Sequence, residues 1–349
     1  MIFIEKSSVS VSVPIKRSPG AEWRFAYSPE GPLDVESGRK GEVLMATQAV
    51  EAPAKRVTLR ERLDLGSGFT PYILVLPTIL VILAVAAYPI INSIWLSFLD
   101  NPLSPSASFV GLRNFVQLFG NHEFLSAIGI TFAFTIVAVA LETIIGLGIA
   151  LLINATFPGR GLVRAAILVP WAFPTVISAQ IWYLMYNDRT GIVSYILQQI
   201  HVLAPGDTLL RTTNGIVIAA IITDVWKTAP FMTLLLLAGL QVIPHELYEA
   251  AGVDGSTRFQ QFWTITLPML TGPLIIALLF RTLASLGIFD LLYILGGNQV
   301  QSMASFSYNF MFTRSTFDFA TGVAAAVTLF VTGLIVSLLY ILLMRVTQR

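Results

Sequence analysis

Six long apolar runs follow one another from residue 70 to the end of this chain. They lie at roughly 70–97, 126–153, 163–186, 213–239, 264–290 and 319–344. A helix needs about 20 mostly apolar residues to cross a hydrocarbon core about 30 Å thick, and each run is that long. Only 12% of the residues are charged, about half of the roughly 25% usual in soluble domains. The expected fold is an all-α membrane protein with six spans, and its first partner is the lipid bilayer. A net charge of +1, with no basic patch interleaved with aromatics, gives no reason to expect a nucleic-acid partner. The absence of cysteine excludes disulfides, thiolate metal sites and a cysteine nucleophile. Three scattered histidines, His122, His201 and His245, do not suggest a metal cluster.

Residues 1–68 are different. They are rich in Ser, Pro, Gly, Lys and Arg and have no sustained apolar period, which predicts a disordered cytoplasmic tail. No basic start leads into an apolar core of signal-peptide type, and Met45 is a candidate internal start. Orientation is read from Lys and Arg near the span ends. Lys55, Arg56, Arg60, Arg62, Arg160, Arg164, Arg258, Arg345 and Arg349 fall on one side, against Arg113, Arg189, Arg211 and Arg314 on the other. The richer side is the cytoplasm, so both termini are expected there. Pro77, Pro89, Pro170, Pro174, Pro230 and Pro273 predict kinks. Gly146, Gly148, Gly322 and Ala324–Ala326 predict close helix contact. Trp182, Tyr183 and Tyr186 read as an interfacial belt.

One polar stretch interrupts the second half: EAAGVDGSTRFQQFWTITLP, Glu249 to Pro268. The same charge count puts it in the cytoplasm, in a loop at 241–262 between spans four and five. Pro244 suits a first helical turn, and Glu246 and Glu249 favour the positive end of the helix dipole. Ala250 and Ala251 let another surface come close, and Gly255 after Asp254 suits a C-terminal cap. A helix of two to three turns is predicted.

Glu249-Ala250-Ala251, Asp254-Gly255, Phe262 and Ile265-x-Leu267-Pro268, preceded by GLQVIPHELY, resemble the cytoplasmic loop of binding-protein-dependent ABC importers, with the flank of their maltose-type sugar permeases. FVGLRNF at 109–115 is similar to that family's extracytoplasmic F-x-G-L-x-N-F stretch. The stretch 168–188 looks most like the trehalose-importer permeases of mycobacteria. The resemblance covers about 70–345. It implies a type I importer permease core of six helices, with a cytoplasmic coupling helix between helices four and five. Glu246, Glu249, Ala250, Ala251, Asp254 and Gly255 would be the coupling residues, with Glu249 and Asp254 pairing with basic groups or capping backbone. The implied partners are a homodimeric ATP-binding subunit, a second homologous permease and an extracytoplasmic sugar-binding protein. The chain has no G-x-x-x-x-G-K-[S/T] loop. ATP and magnesium would therefore belong to the ATP-binding partner, and this chain is expected to be a transport subunit and not an enzyme.

Ionisable residues inside spans usually face a cavity or a partner. Here they are Glu142, Asp224, Lys227, Arg281 and Asp290. Asp224 and Lys227, three apart on one helical face, read either as a neutralising pair or as pathway groups. Glu142 reads as structural, and Asp290 could meet Arg281 only through tertiary packing. The resemblance further implies a sugar pathway through Asp224, Thr228 and Phe231 on span four and Arg281, Ser285 and Ile288 on span five. Lys227 and Phe289 lie beside them. Ser285 and Ile288 replace the family's asparagines, which leaves the substrate open among trehalose, maltose and other neutral sugars. An ion-coupled secondary transporter is the alternative from another class, though it leaves the polar loop unexplained. Within ABC importers, a permease for glycerol phosphate, amino acids or metal is a further alternative.

Overall fold

A computed structural model describes residues 70–313 and 318–347. The tail expected at 1–68, with Met45, lies outside the described residues. The chain divides into two units, Met1–Leu74 and Val75–Arg349, and apart from the start of the first helix every element below lies in the second. The described elements are helices, with one isolated antiparallel bridge between Leu99 and Phe109.

Helix α1, Leu74–Leu96, is followed by a short α2, Arg113–Phe119, and by the 33-residue α3, His122–Asn154. Two helices, α4 (Arg160–Ala172) and α5 (Thr175–Met185), then meet at 90°. A short α6, Ile192–Gln199, leads to α7, Thr213–Leu240. The polar loop forms α8, His245–Val253, and the chain returns through α9, Arg258–Leu286. Helices α10 (Asp290–Gly296) and α11 (Met303–Tyr308) precede the final α12, Phe319–Thr347. Five of these helices are long and apolar enough to cross a membrane, or six if α4 and α5 count as one broken span.

Three differences from the sequence reading have physical causes. The run at 163–186 is not one helix. Phe173 takes extended backbone before Pro174, as the residue before a proline prefers, and the chain bends there. The run at 264–290 ends as a helix at Leu286, so Ile288 and Phe289 lie on the link to α10. Tyr186 is not at an interface but fully buried, its hydroxyl 3.0 Å from the Ala219 carbonyl and 3.3 Å from Thr223 Oγ1. Trp182 packs on Tyr186 and on Trp226.

Two prolines are accommodated by widening the helix before them. Five-residue π segments at Leu83–Ala87 and Phe262–Thr266 stand just ahead of Pro89 and Pro268. A proline lacks an N–H and crowds the carbonyl four residues back, and a π turn relieves both problems. The motif FVGLRNF also has a structural role. The Asn114 side chain is buried and donates 2.8 Å hydrogen bonds to the carbonyls of Ser97 and Leu99, which fixes the turn after α1. In the same turn, Asp100 accepts from the Ser108 N–H and hydroxyl and from the Asn101 N–H, which holds its carboxyl below the ordinary range.

The core is strung along α3 and α7. At one end Phe134 and Ala138 pack with Ala179, the first half of α7 and Leu291, Leu292 and Leu295 of α10. Phe124 and Ala127 pack with Met303, Phe306 and the Ala324–Ala325 pair of α12. At the other end Ala150 and Ile153 meet Met232, Leu236, Leu240 and, on α9, Leu270 and Ala277. Gly146 permits this last approach: a Cβ there would stand 2.8 Å from Met232 Cγ and 3.2 Å from the Thr233 nitrogen. Gly146→Val should therefore cost about 1–3 kcal/mol through overpacking, read as a lower thermal midpoint in detergent. Gly148, where a Cβ would meet nothing within 4 Å, supplies the control. Equal shifts for the two valine variants would refute the packing argument.

Candidate functional site

Two features stand out: a rigid polar elbow at one end of α9 and a buried charge cluster along its length. The elbow begins with Pro244, which caps α8 from extended backbone instead of opening its first turn. Helix α8 ends in a Schellman motif. The Ser256 N–H donates to the Ala251 carbonyl at 2.9 Å and the Gly255 N–H to Gly252 at 3.1 Å. This closure needs a left-handed residue at the position after the cap, and Gly255 takes φ of +80°. Thr257 then caps α9 in a reciprocal capping box with Gln260. Tyr248 on α8 meets Thr266 on α9, hydroxyl to hydroxyl at 2.9 Å. The Gln261 amide donates to the Ser256 carbonyl at 3.3 Å. Helix and elbow are thus joined as one stiff piece. Glu246, Glu249 and Ala250 are exposed on it, and Glu249 reaches His245 at 3.1 Å on its own helix.

The charge cluster joins three helices. Arg281 of α9 donates through Nε to Glu142 Oε2 at 2.6 Å and through its terminal NH2 nitrogen to Glu142 Oε1 at 2.7 Å, a bidentate pair with α3. The same terminal nitrogen lies 3.1 Å from Asp224 Oδ2 of α7 and 3.1 Å from Ser285 Oγ. The Thr228 hydroxyl lies 2.6 Å from Glu142 Oε1 and 2.5 Å from the Asp224 carbonyl oxygen. Glu142 is 0% exposed and Arg281 6%. Bidentate arginine–carboxylate geometry is the strong form of an ion pair, and in a membrane interior these groups have no solvent to replace one another.

Against this geometry, the pattern of the family described as "Binding-protein-dependent transport system inner membrane component" matches residues 142–348. The chain belongs to that family. It is similar to the trehalose/maltose transport system permease protein MalF of Thermococcus litoralis, 41% identical over 275 residues, covering 77% of this chain and 92% of that one. It is also similar to the trehalose transport system permease protein SugA of Mycobacterium tuberculosis, 35% identical over 278 residues, with 77% and 86% covered. Among solved structures it resembles a bacterial ABC transporter involved in the import of the acidic polysaccharide alginate. There the TM-score is 0.69 at 25% identity, over 82% of this chain and 98% of that one. The fold is that of a type I ABC importer permease, and the protein is a multi-pass membrane transport component.

Within this permease the pathway residues named from the sequence separate into groups. Asp224, Thr228, Arg281 and Ser285 come together in the buried cluster. Lys227 is half-buried beside it and makes no ion pair within 4 Å among the described residues; it acts on Asp224 electrostatically, while Arg281 makes the direct contact. Ile288 is buried in the apolar core and its carbonyl accepts from Ser302 Oγ at 2.5 Å. Phe231 is half-buried and stacks on Trp171, centroids 5.7 Å apart. Phe289 is half-buried on the link. Asp290 is not the partner of Arg281; Glu142 is. Sequence reasoning also missed the ties made by Tyr248, Thr266 and Gln261, although Tyr248 immediately precedes the polar motif.

Proposed function

We propose that this permease forms half of the pathway of an ATP-driven importer for a neutral di- or oligosaccharide such as trehalose or maltose. The carrying observation is the pair of relatives at 41% and 35% identity over 77% of the chain, both named for trehalose transport. The buried cluster favours a neutral cargo over an anionic one: Arg281 is already matched by two carboxylates, and Lys227 beside them lies in the field of Asp224 and Asp290. A second permease, an extracytoplasmic binding protein and a pair of ATP-hydrolysing subunits complete the assembly, and both termini face the cytoplasm. Helix α8 is the lever. Its exposed face rests on the ATPase, and the Tyr248–Thr266 tie and the capped elbow pass displacement into α9. Arg281 then carries that displacement to α3 and α7, so the spans rock between inward- and outward-facing states.

The chain contains no cysteine, so an Ala250→Cys variant carries a single thiol. It should cross-link to the ATP-binding subunit in the assembled importer and react with impermeant reagents only from the cytoplasmic side. Labelling from outside, or no capture of the ATPase, would overturn the lever. Uptake of radiolabelled trehalose and maltose by cells carrying the complete importer tests the cargo.

A further inference from the structure

Four aromatic rings follow one another from the end of the α9–α10 link to the π segment Asn309–Thr313 after α11. Phe289 and Tyr293 stack with centroids 5.3 Å apart and planes 21° apart. Tyr308 lies 5.1 Å from Phe289 and 5.8 Å from Tyr293, and Phe312 lies 5.3 Å from Tyr308. Exposure rises along the series, from half-buried Phe289 and Tyr293 to Tyr308 and then to Phe312 at 62%. The neighbouring rings Phe306 and Phe310 are buried in the apolar core. The segment therefore presents two sets of rings, one packed inward and one left open.

Charges accompany the open set. Asp290 adjoins Phe289, and Lys227 lies in the field of Asp224 and of Asp290, without an ion pair to Asp290 within 4 Å. Lys227 and Asp290 are both half-buried. Charged side chains avoid facing acyl chains, so this face borders a polar surface and not lipid. Helix α9, at 29 residues, is about 44 Å long at 1.5 Å per residue. It separates the rings from the elbow at its other end, so the rings lie toward the side from which cargo enters.

Rings beside charged groups match one ligand chemistry. Sugars lay C–H faces on aromatic rings and offer hydroxyls to polar groups at the ring edges. We infer that Phe289, Tyr293, Tyr308 and Phe312 form a stacking track that hands sugar rings inward to Lys227 and Asp290. The inference rests on the carbohydrate reading above and adds the surface that the cargo follows.

The test uses the complete importer reconstituted in liposomes, with saturating binding protein and labelled trehalose, maltose and longer maltodextrins. Tyr308→Leu and Phe312→Leu should each lower uptake about tenfold, while Tyr308→Phe and Phe312→Trp keep it within twofold. ATP hydrolysis without sugar should be unchanged in all four. A Phe312→Trp importer should also show, relative to wild type, an added tryptophan emission that shifts when sugar and binding protein are added, a readout that serves even if the leucine variants fail to assemble. Leucine variants that transport like wild type would overturn the track, as would a Phe312→Trp minus wild-type emission difference that does not respond to sugar. Loss of the second permease on purification of the leucine variants would overturn it too, by making these rings a subunit contact. No uptake of any sugar by the wild-type importer would instead overturn the carbohydrate reading, and the track with it.

Discussion

Arg281→Met is expected to destabilise the permease by about 3–5 kcal/mol, the range found when one partner of a buried ion pair is removed. Methionine fills a similar volume but leaves Glu142 without both of its guanidinium contacts and Asp224 without its 3.1 Å partner. Neither carboxylate has solvent to turn to, since Glu142 is fully buried and Asp224 nearly so. The variant should show a sharply lower thermal midpoint in detergent and little protein in the membrane. Glu142→Gln introduced alongside Arg281→Met should recover part of the loss, because it removes one of the stranded charges. An unchanged midpoint for the single variant would mean that the cluster does not hold the helices together, and no recovery in the double variant would mean that the cost comes from packing.

Gly255→Pro is expected to separate transport from folding. Proline holds φ near −65°, whereas this position takes +80°, and it also deletes the N–H that closes the helix onto Gly252. The strain falls in an exposed turn, so the spans should assemble normally while α8 points elsewhere. Uptake and sugar-stimulated ATP hydrolysis should fall roughly tenfold or more, the factor that corresponds to about 1.4 kcal/mol of lost contact. Gly255→Asn tolerates the left-handed region better and should retain most activity. If proline and asparagine behave alike, the geometry of this turn is irrelevant to coupling.

The sequence carried the parts of this molecule that depend on local pattern. Apolar length located the long helices, and the polar motif located α8, because capping residues and small side chains act within a few positions of one another. Long-range pairing was not legible. Glu142 and Arg281 stand 139 residues apart, and nothing local marks either as the other's partner. For Asp224 and Lys227 a shared helical face left the direct contact open, and the structure gives that contact to Arg281. Tyr186 misled for a related reason: an aromatic with a polar tip suits an interface or a satisfied core site equally, and only the packing of α5 on α7 decides. The bend at Phe173 was half legible, since Pro170 and Pro174 announced a distortion but not 90°.

The guanidinium of Arg281 acts as a bolt through α3, α7 and α9. Sliding any of these three past another would tear apart a buried ion pair, whereas α12 packs on α9 with a 2.9 Å contact between the Thr282 and Tyr340 hydroxyls and no ion pair to it among the described residues. The trio must therefore swing as one wedge. In the proposed rocking cycle, the seam that opens and shuts runs along the wedge's outer flank, where α1 and α12 can slip without breaking an ion pair among the described residues.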